Sequence, residues 1–462
     1  MNNLIDATRS YNSLTKNGAI THSTSLSYCV DMFFLAGASR TMSEEEIIIV
    51  FERAFAENKN IAAKILFWSR DVRGGAGERR FFQIVMKHIV EKYPDISDEL
   101  IVHIPEFGYW KDIFVIEKPN ENNLNWLKHQ LEENKNSNLL AKWFPKKSYW
   151  LSAMHKYLGI TPKEFRKILV EKTKVVETQM CNHEWQQIKY ENVPSIAMNK
   201  YRNAFLKHDE KSMKQYIESV NEGKTKINAS ALFPYQLYQA INKGENEKAV
   251  EAQWYNLPDY MAGSTERILP VCDVSGSMTG LPMDVTVSLG IYISERNEDI
   301  FKNAFITFSE NPEMQYLKGS LIQRMRQLNK SAWGHNTNLQ ATFDLILNSA
   351  VRESIPEHEM PTKLLIISDM EFDEACDNQT NLDVIREKYQ EAGYKMPEII
   401  FWNVKGRLSN SPAQIKDERI GLVSGFSPFI LKSVLKGEVY GPEQLMLDTV
   451  DTERYKLISI SE

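Results

Sequence analysis

The chain has 462 residues, with 55 Lys plus Arg against 61 Asp plus Glu, 42% apolar and 25% charged side chains, and a net charge of −6. This length and balance exclude a disordered, collagenous or coiled-coil chain and leave material for two or three domains. They do not exclude a nucleic-acid binder, because the total sums unlike parts. Residues up to Arg267 carry 36 basic and 33 acidic groups (+3), and the remainder carries 19 and 28 (−9). Within the first part, residues 142–214 alone hold 15 basic and 7 acidic groups (+8).

The opening MNNLIDATRSYNS has no basic head followed by an apolar run, so no signal peptide is expected. No stretch approaches the ~18 uninterrupted apolar residues of a membrane span. Cys29, Cys181, Cys272 and Cys376 are far apart and form no CxxC pair. Free thiols in a reducing compartment fit best, and the protein reads as cytoplasmic. Cys181 and His183 have no second pair of similar type nearby, which argues against zinc.

From Leu26 to about Val250 the apolar residues recur at helical spacing. Ile47, Val50, Phe51, Ala54 and Phe55 share one face behind the acidic first turn Ser43-Glu44-Glu45-Glu46. Residues 61–69 and 81–90 read the same way, and further helices are expected at 124–133, 149–158, 162–175, 196–206 and 211–220. Helix follows helix over short connections, the pattern of stacked helical pairs in an α-solenoid-like layer.

Three features of this part stand out. Gly74-Gly75-Ala76-Gly77 lacks the Gly-Lys-Ser/Thr ending of a phosphate loop and follows a helical pattern, so it reads as a turn, with Arg70, Arg73, Arg79 and Arg80 near it. Glu106-Phe107-Gly108-Tyr109-Trp110-Lys111-Asp112 reads as a compact turn between helices. Trp143, Tyr149, Trp150, Tyr157, Trp185, Tyr190 and Tyr201 interleave with Lys142, Lys146, Lys147, Lys163, Arg166, Lys167, Lys189, Lys200 and Arg202. Aromatics stack on unpaired bases and cations hold phosphates, as single-stranded RNA requires. The plainer arrangement puts the aromatics in a core and the lysines outside it.

After a transitional stretch from Asn228-Ala229-Ser230 to Asp259, the pattern changes at Arg267. Short apolar runs at 268–273, 301–308, 314–317, 363–368, 398–404 and 421–423 read as strands. Helical patterns at 283–294, 321–328, 339–352, 382–392 and 429–436 alternate with them, implying a mostly parallel sheet covered on both faces. In such sheets sites form at the carboxyl ends of strands. Asp273-x-Ser275-x-Ser277, Gly334-His335-Asn336-Thr337-Asn338 and Ser368-Asp369 can meet at one edge. Their hydroxyls and carboxylates suit a hard divalent ion, Mg2+ above all.

Asp-x-Ser-x-Ser, a later Thr in a Gly-containing loop and a still later Asp resemble the metal-ion-dependent adhesion site of von Willebrand factor A domains. The resemblance implies that Asp273 anchors the hydroxyls, that Ser275 and Ser277 are direct ligands, and that Thr337 and Asp369 act directly or through water. One coordination position would stay open for a partner's carboxylate. The whole chain resembles the Ro ribonucleoprotein autoantigen family, in particular a less characterised branch in bacteria, plants and viruses. The segments carrying this are Phe67-Trp68-Ser69-Arg70-Asp71-Val72-Arg73-Gly74-Gly75, Ile104-Pro105-Glu106-Phe107-Gly108, Lys142-Trp143-Phe144-Pro145 and Ile366-Ile367-Ser368-Asp369-Met370-Glu371-Phe372-Asp373.

The resemblance implies a multidomain chain: an N-terminal all-α helical-repeat module (HEAT-like, TROVE-like; 1–260), a C-terminal α/β doubly wound von Willebrand factor A domain (261–441), and a tail (442–462) packing back on the helical module. It also implies binding of small or misfolded non-coding RNA through a basic helical surface, for which Arg70, Arg73, Arg79, Lys142, Lys146, Lys147, Lys163, Arg166, Lys167, Lys200 and Arg202 are the expected contacts. The alternative is a metal-dependent protein–protein adaptor without RNA. No Ser-His-Asp or Cys-His constellation shows, and Glu371, Asp373 and Glu374 read as a solvated acidic loop, so no enzyme is expected.

Overall fold

The computed structural model describes residues 12–133, 137–221, 232–245, 247–308, 312–330, 337–374 and 379–461. Residues 228–230, 334–336 and Cys376 lie outside the described residues. The chain forms two compact units: one takes the residues up to Phe82, Phe233–Trp254 and Asp259–Lys456, the other Gln83–Leu232, Tyr255–Pro258 and Leu457–Glu462. These units cut across the linear order in which boundaries were expected at 260 and 441. The N-terminal segment belongs to the sheet-bearing unit.

That unit is built on β3 (Ile268–Asp273), β4 (Ala304–Phe308), β5 (Glu313–Tyr316), β6 (Lys363–Ser368), β7 (Glu398–Asn403) and β8 (Ile420–Ser424), in the order β5-β4-β3-β6-β7-β8. All neighbours run parallel except β4 and β5. Every residue of β3, β6, β7 and β8 is buried, which is why each reads as a continuous apolar run rather than an alternating one. The chain leaves β3 for β4 on one side and later enters β6 on the other. The carboxyl ends of β3 and β6 therefore flank the point where strand order reverses.

Helices cover the sheet. Leu281–Arg296 packs on β3 and is buried at most of its residues, as expected for a helix apolar nearly all round. Its Gly290 lets it approach: a Cβ there would strike the Cys272 sulfur. Tyr28–Ala36 has seven buried residues among nine, so one flanking neighbour is not enough to cover it. It packs on Glu44–Glu57, on Lys59–Arg70 and on β8. Ser424 Oγ donates to the Phe33 carbonyl (2.7 Å), and Gly37 N donates to Ser424 Oγ (3.0 Å). The face predicted on Glu44–Glu57 is the buried one, and Ser43 closes a capping box with Glu46.

A short hairpin, β1 (Asn12–Leu14) with β2 (Ile20–His22), precedes these helices. The glycine turn lies between Lys59–Arg70 and the helix starting at Arg80. Asp71, fully buried, accepts hydrogen bonds there from Arg454 Nη2 (2.8 Å) and Tyr455 Oη (3.0 Å). The tail meets residues of the expected helical span 1–260 at several points: Pro442–Val450 packs on Tyr28–Ala36 and on Lys59–Arg70. It also packs on β8 within the sheet-bearing unit, whereas Leu457–Glu462 belongs to the helical unit, where Ser461 N donates to Glu99 Oε2 (2.9 Å).

Among its described residues the second unit is helical. Glu121–Glu133, Tyr149–Tyr157, Pro162–Lys172, Ser195–His208 and Glu210–Asn221 match the expected helices within a few residues, and Ser137–Trp143 is a helix that was not expected. Thr161, Pro162 and Glu164 make a capping box with proline in the first turn. The helix expected over 162–175 ends at Lys172, three residues early. Ile188, Tyr190, Val193, Met198, Phe205 and Met213 form one of its cores.

Candidate functional site

Asp273 ends β3 and Ser368 ends β6, so adjacent parallel strands deliver them to the same sheet edge. Asp273 is fully buried. Its Oδ1 accepts the Ser275 backbone N–H (2.9 Å) and its Oδ2 accepts the Ser368 hydroxyl (2.6 Å), so it ties the two strand ends together. The turn it holds brings Ser275 Oγ to 3.0 Å from Ser277 Oγ. Asp369, 3% exposed, accepts from Ser277 Oγ and from the Glu371 N–H (3.3 Å). Met370 follows at φ 63°, a left-handed conformation uncommon outside glycine, and its N–H donates to Ser368 Oγ (2.9 Å).

Burial pushes the Asp273 carboxyl up to about 6, and the charge of Asp369 adds to that push against hydrogen bonds from Ser368 and Ser275. Burial raises Asp369 as well, opposed by the Ser277 hydroxyl, the Glu371 N–H and the Lys405 ammonium. Two neighbouring buried carboxylates are each easier to ionise beside a cation. Lys405 supplies one charge: its Nζ donates to the Ser277 carbonyl (2.6 Å) and stands 4.0 Å from Asp369 Oδ2.

Thr337 is 1% exposed, and its Oγ1 is buried without a hydrogen-bond partner. Its backbone is fixed by Asp373, which follows Asp369 on the same segment: Thr337 N donates to Asp373 Oδ2 (2.6 Å), and Asp373 N donates to the Thr337 carbonyl (3.0 Å). An unpaired buried hydroxyl costs about 1–3 kcal/mol, so a ligand for it is worth having. Two carboxylates and three hydroxyls, one of them orphaned, fit a hard divalent cation. No three His, Cys, Asp or Glu side chains converge among the described residues, so a cation here would depend on the hydroxyls.

Asp373 and Glu371 were expected in a solvated acidic loop, and the structure corrects this. Glu371 is 4% exposed, accepts twice from Arg407 Nη1 (3.1 and 3.0 Å), and accepts the Lys16 N–H (2.6 Å). Thr15 Oγ1 donates to the Phe372 carbonyl (2.6 Å), Asn17 Nδ2 to the Glu371 carbonyl (2.7 Å), and Gly18 bridges to Asp373. The N-terminal hairpin is therefore seated on the segment that carries Asp369 and fixes Thr337. Helical periodicity gives no sign of pairing over some 355 residues. The one local hint is the turn chemistry of Asn17-Gly18.

The residues expected to touch RNA divide between the units. Arg70, Arg73 and Arg79 lie in the sheet-bearing unit, the other eight in the helical unit. Arg70 is 1% exposed, on a helix turn buried throughout, so its expected place on a surface is corrected. Arg73 is exposed and Arg79 half-buried. Lys142 donates to Glu177 Oε1 (2.8 Å); Lys146, Lys147, Lys163, Arg166, Lys167 and Lys200 are exposed, and Arg202 is half-buried. Of the interleaved aromatics, Trp150 and Tyr190 are core, but Trp143 is 43% and Tyr149 57% exposed. The Lys111 and Lys142 ammoniums lie 5.8 and 5.3 Å from the Trp143 ring centre.

No described helix is long and apolar enough to cross a membrane. The chain is 30% identical to uncharacterised protein L728 of Acanthamoeba polyphaga mimivirus, over 95% of this chain and 87% of that protein. A solved structure, that of the Deinococcus radiodurans RO (RSR) protein, aligns over 90% of this chain and all of its own at 12% identity, with a TM-score of 0.42. Residues 267–457 match the domain of unknown function DUF7788. Residues 15–125 and 133–265, more than half of the chain, match the domain of unknown function DUF2828, and the chain belongs to that family.

Proposed function

We propose that the protein is an RNA-binding scaffold of Ro type, in which the helical unit holds RNA and the sheet-bearing unit, read as a von Willebrand factor A domain, holds a divalent cation. The observation that carries the RNA reading is Trp143, a half-exposed indole attended by Lys111 and Lys142 and followed in sequence by exposed Lys146, Lys147 and Tyr149. Large aromatics left outside a core beside ammoniums suit a base stacked on a ring with its phosphates held alongside. The cation, Mg2+ for preference, would be held by Ser275, Ser277 and Thr337 with Asp273 and Asp369, the orphaned Thr337 hydroxyl supporting that choice. When bound, it supplies charge and an open position for an anionic group. A set so rich in hydroxyls favours binding over generation of hydroxide, and we assign no reaction.

The test is retention of a single-stranded RNA and of a hairpin RNA with a single-stranded end on the full chain across a salt series. Binding should weaken steeply with salt as phosphate contacts release counterions. No retention of either RNA at low salt would overturn the RNA reading. The adaptor reading is favoured by one separate observation, the partly exposed Lys405 and Arg407 side chains at the cleft beside Asp369.

A further inference from the structure

The amino edge of the sheet, opposite the edge that bears Asp273 and Asp369, holds a cavity of about 510 Å³. That lies within the ~300–1,000 Å³ usual for small-molecule sites. Arg267 precedes β3, Lys363 opens β6, Glu398 opens β7 and Arg419 precedes β8, so the parallel strands set these charges side by side. Lys363, 1% exposed, donates from Nζ to Glu398 Oε2 (2.5 Å) and to the Gly437 carbonyl (2.8 Å), with Glu266 Oε1 at 3.4 Å. Arg419 is less well served. Its Nη1 stands 3.7 Å from Glu398 Oε1, beyond hydrogen-bond reach, and its Nε is buried with no hydrogen-bond partner among the described residues. Its backbone is left-handed at φ 63°, uncommon outside glycine, and its carbonyl is tied to β7 by the Ile399 N–H (3.0 Å). A buried N–H without an acceptor costs about 1–3 kcal/mol, and a ligand oxygen would remove that cost.

We propose that this cavity receives a free amino acid with an apolar side chain. The planar fork of Arg419 matches a carboxylate in geometry, with the orphaned Nε as one of its donors. Charge decides between a zwitterion and a simple anion. Arg267, Lys395 and Arg419 line the cavity against Glu266, Glu357, Glu398 and Glu438, and Lys363 behind them brings the sum to zero. A neutral site gives a bare anion no net attraction, and its glutamates repel a doubly charged phosphate. A zwitterion uses both signs. Glu266 and Glu398 are engaged by Lys363, which leaves the exposed Glu357 and Glu438 to face an ammonium. Glu438 is well placed for this: Gly437 before it accepts from Lys363, and Val439 after it donates to Glu398 Oε2 (3.4 Å). Met360, Pro361, Met396 and Pro397 supply apolar wall, the methionines adapting to the side chain enclosed. No Phe, Tyr or Trp lines the cavity, so a nucleobase finds no ring to stack on. The site shares no residue with the candidate cation oxygens and depends on neither the metal nor the RNA reading.

The experiment is calorimetric titration of the full chain with leucine, isoleucine, valine, methionine and phenylalanine, and with inorganic phosphate. The tightest amino acid is then compared with its N-acetyl form, which lacks the ammonium, and its amide, which lacks the carboxylate. Each blocked form should bind roughly 10–100-fold more weakly, the loss of one hydrogen-bonded charge. Arg419→Gln should abolish the preference over the amide, and Glu438→Gln should reduce the preference over the N-acetyl form, with circular dichroism showing both variants folded. Should Arg419→Gln fail to fold, the comparison of the three ligand forms on the wild type and on Glu438→Gln still decides. The assignment is overturned if no amino acid binds at millimolar concentration, if either blocked form binds as tightly as its parent, or if phosphate binds more tightly than all of them.

Discussion

Thr337 and Asp373 hold each other by two hydrogen bonds, Thr337 N to Asp373 Oδ2 (2.6 Å) and Asp373 N to the Thr337 carbonyl (3.0 Å). The first fixes the loop that presents the Thr337 hydroxyl; the second belongs to the segment that presents Asp369. Asp373 therefore acts as a positioning residue for two donors at once. Asp373→Ala should lower Mg2+ affinity roughly 10–100-fold, the range seen when groups behind metal ligands are removed. Calorimetric titration checks this, and circular dichroism separates it from a folding defect.

Thr337→Val separates a cation-binding hydroxyl from a structural one. Because Oγ1 has no partner, removing it relieves a buried unpaired group. The metal-free variant should be as stable as the wild type or more so by about 1 kcal/mol. The stabilisation conferred by Mg2+ should shrink in the same variant. Thermal melts with and without Mg2+ read both effects, and a less stable metal-free variant would point to a structural hydroxyl.

Trp143→Ala and Tyr149→Ala should each weaken binding of single-stranded RNA by about 1–3 kcal/mol, whatever its sequence. Lys146→Gln with Lys147→Gln should flatten the dependence of log affinity on log salt by roughly 1.4, as two single-strand phosphate contacts are lost. Trp150→Ala, by contrast, should act on stability, since that ring is 2% exposed and its Nε1 donates to the Ile116 carbonyl (2.6 Å).

Asp71 is buried and holds both Arg454 and Tyr455. Asp71→Ala would remove the buried carboxylate that Arg454 and Tyr455 share and should cost about 3 kcal/mol. Gly75→Ala should be similarly damaging, because a methyl there would land on the Trp68 carbonyl oxygen. Chemical denaturation measures both. The glycine turn is thus a seat for the residues around Tyr455, not a phosphate cradle.

Much of this architecture can be read from local pattern. The runs at 268–273 and 363–368 are β3 and β6 to the residue, because strands buried on both faces must be apolar throughout. The Asp-x-Ser-x-Ser turn is equally legible, its spacing being set by the hydrogen bond from Ser275 N to Asp273 Oδ1. What stayed hidden depends on contacts across the chain. The hairpin around Asn17 meets Glu371 some 355 residues away, and Tyr28–Ala36 packs on β8 as well as on its neighbouring helices, so neither shows in any local period. Arg70 and Glu371 look solvated by residue type, and only their tertiary neighbours bury them.

The most direct measurement is the stoichiometry of Mn2+ bound to the full chain, read by electron paramagnetic resonance in wild type, Asp273→Asn and Thr337→Val. The account predicts one site per chain in the wild type, weakened in Thr337→Val and abolished in Asp273→Asn while circular dichroism shows both variants folded. A wild type that binds no Mn2+, or two folded variants that bind it unchanged, would contradict the assignment of these oxygens to a cation.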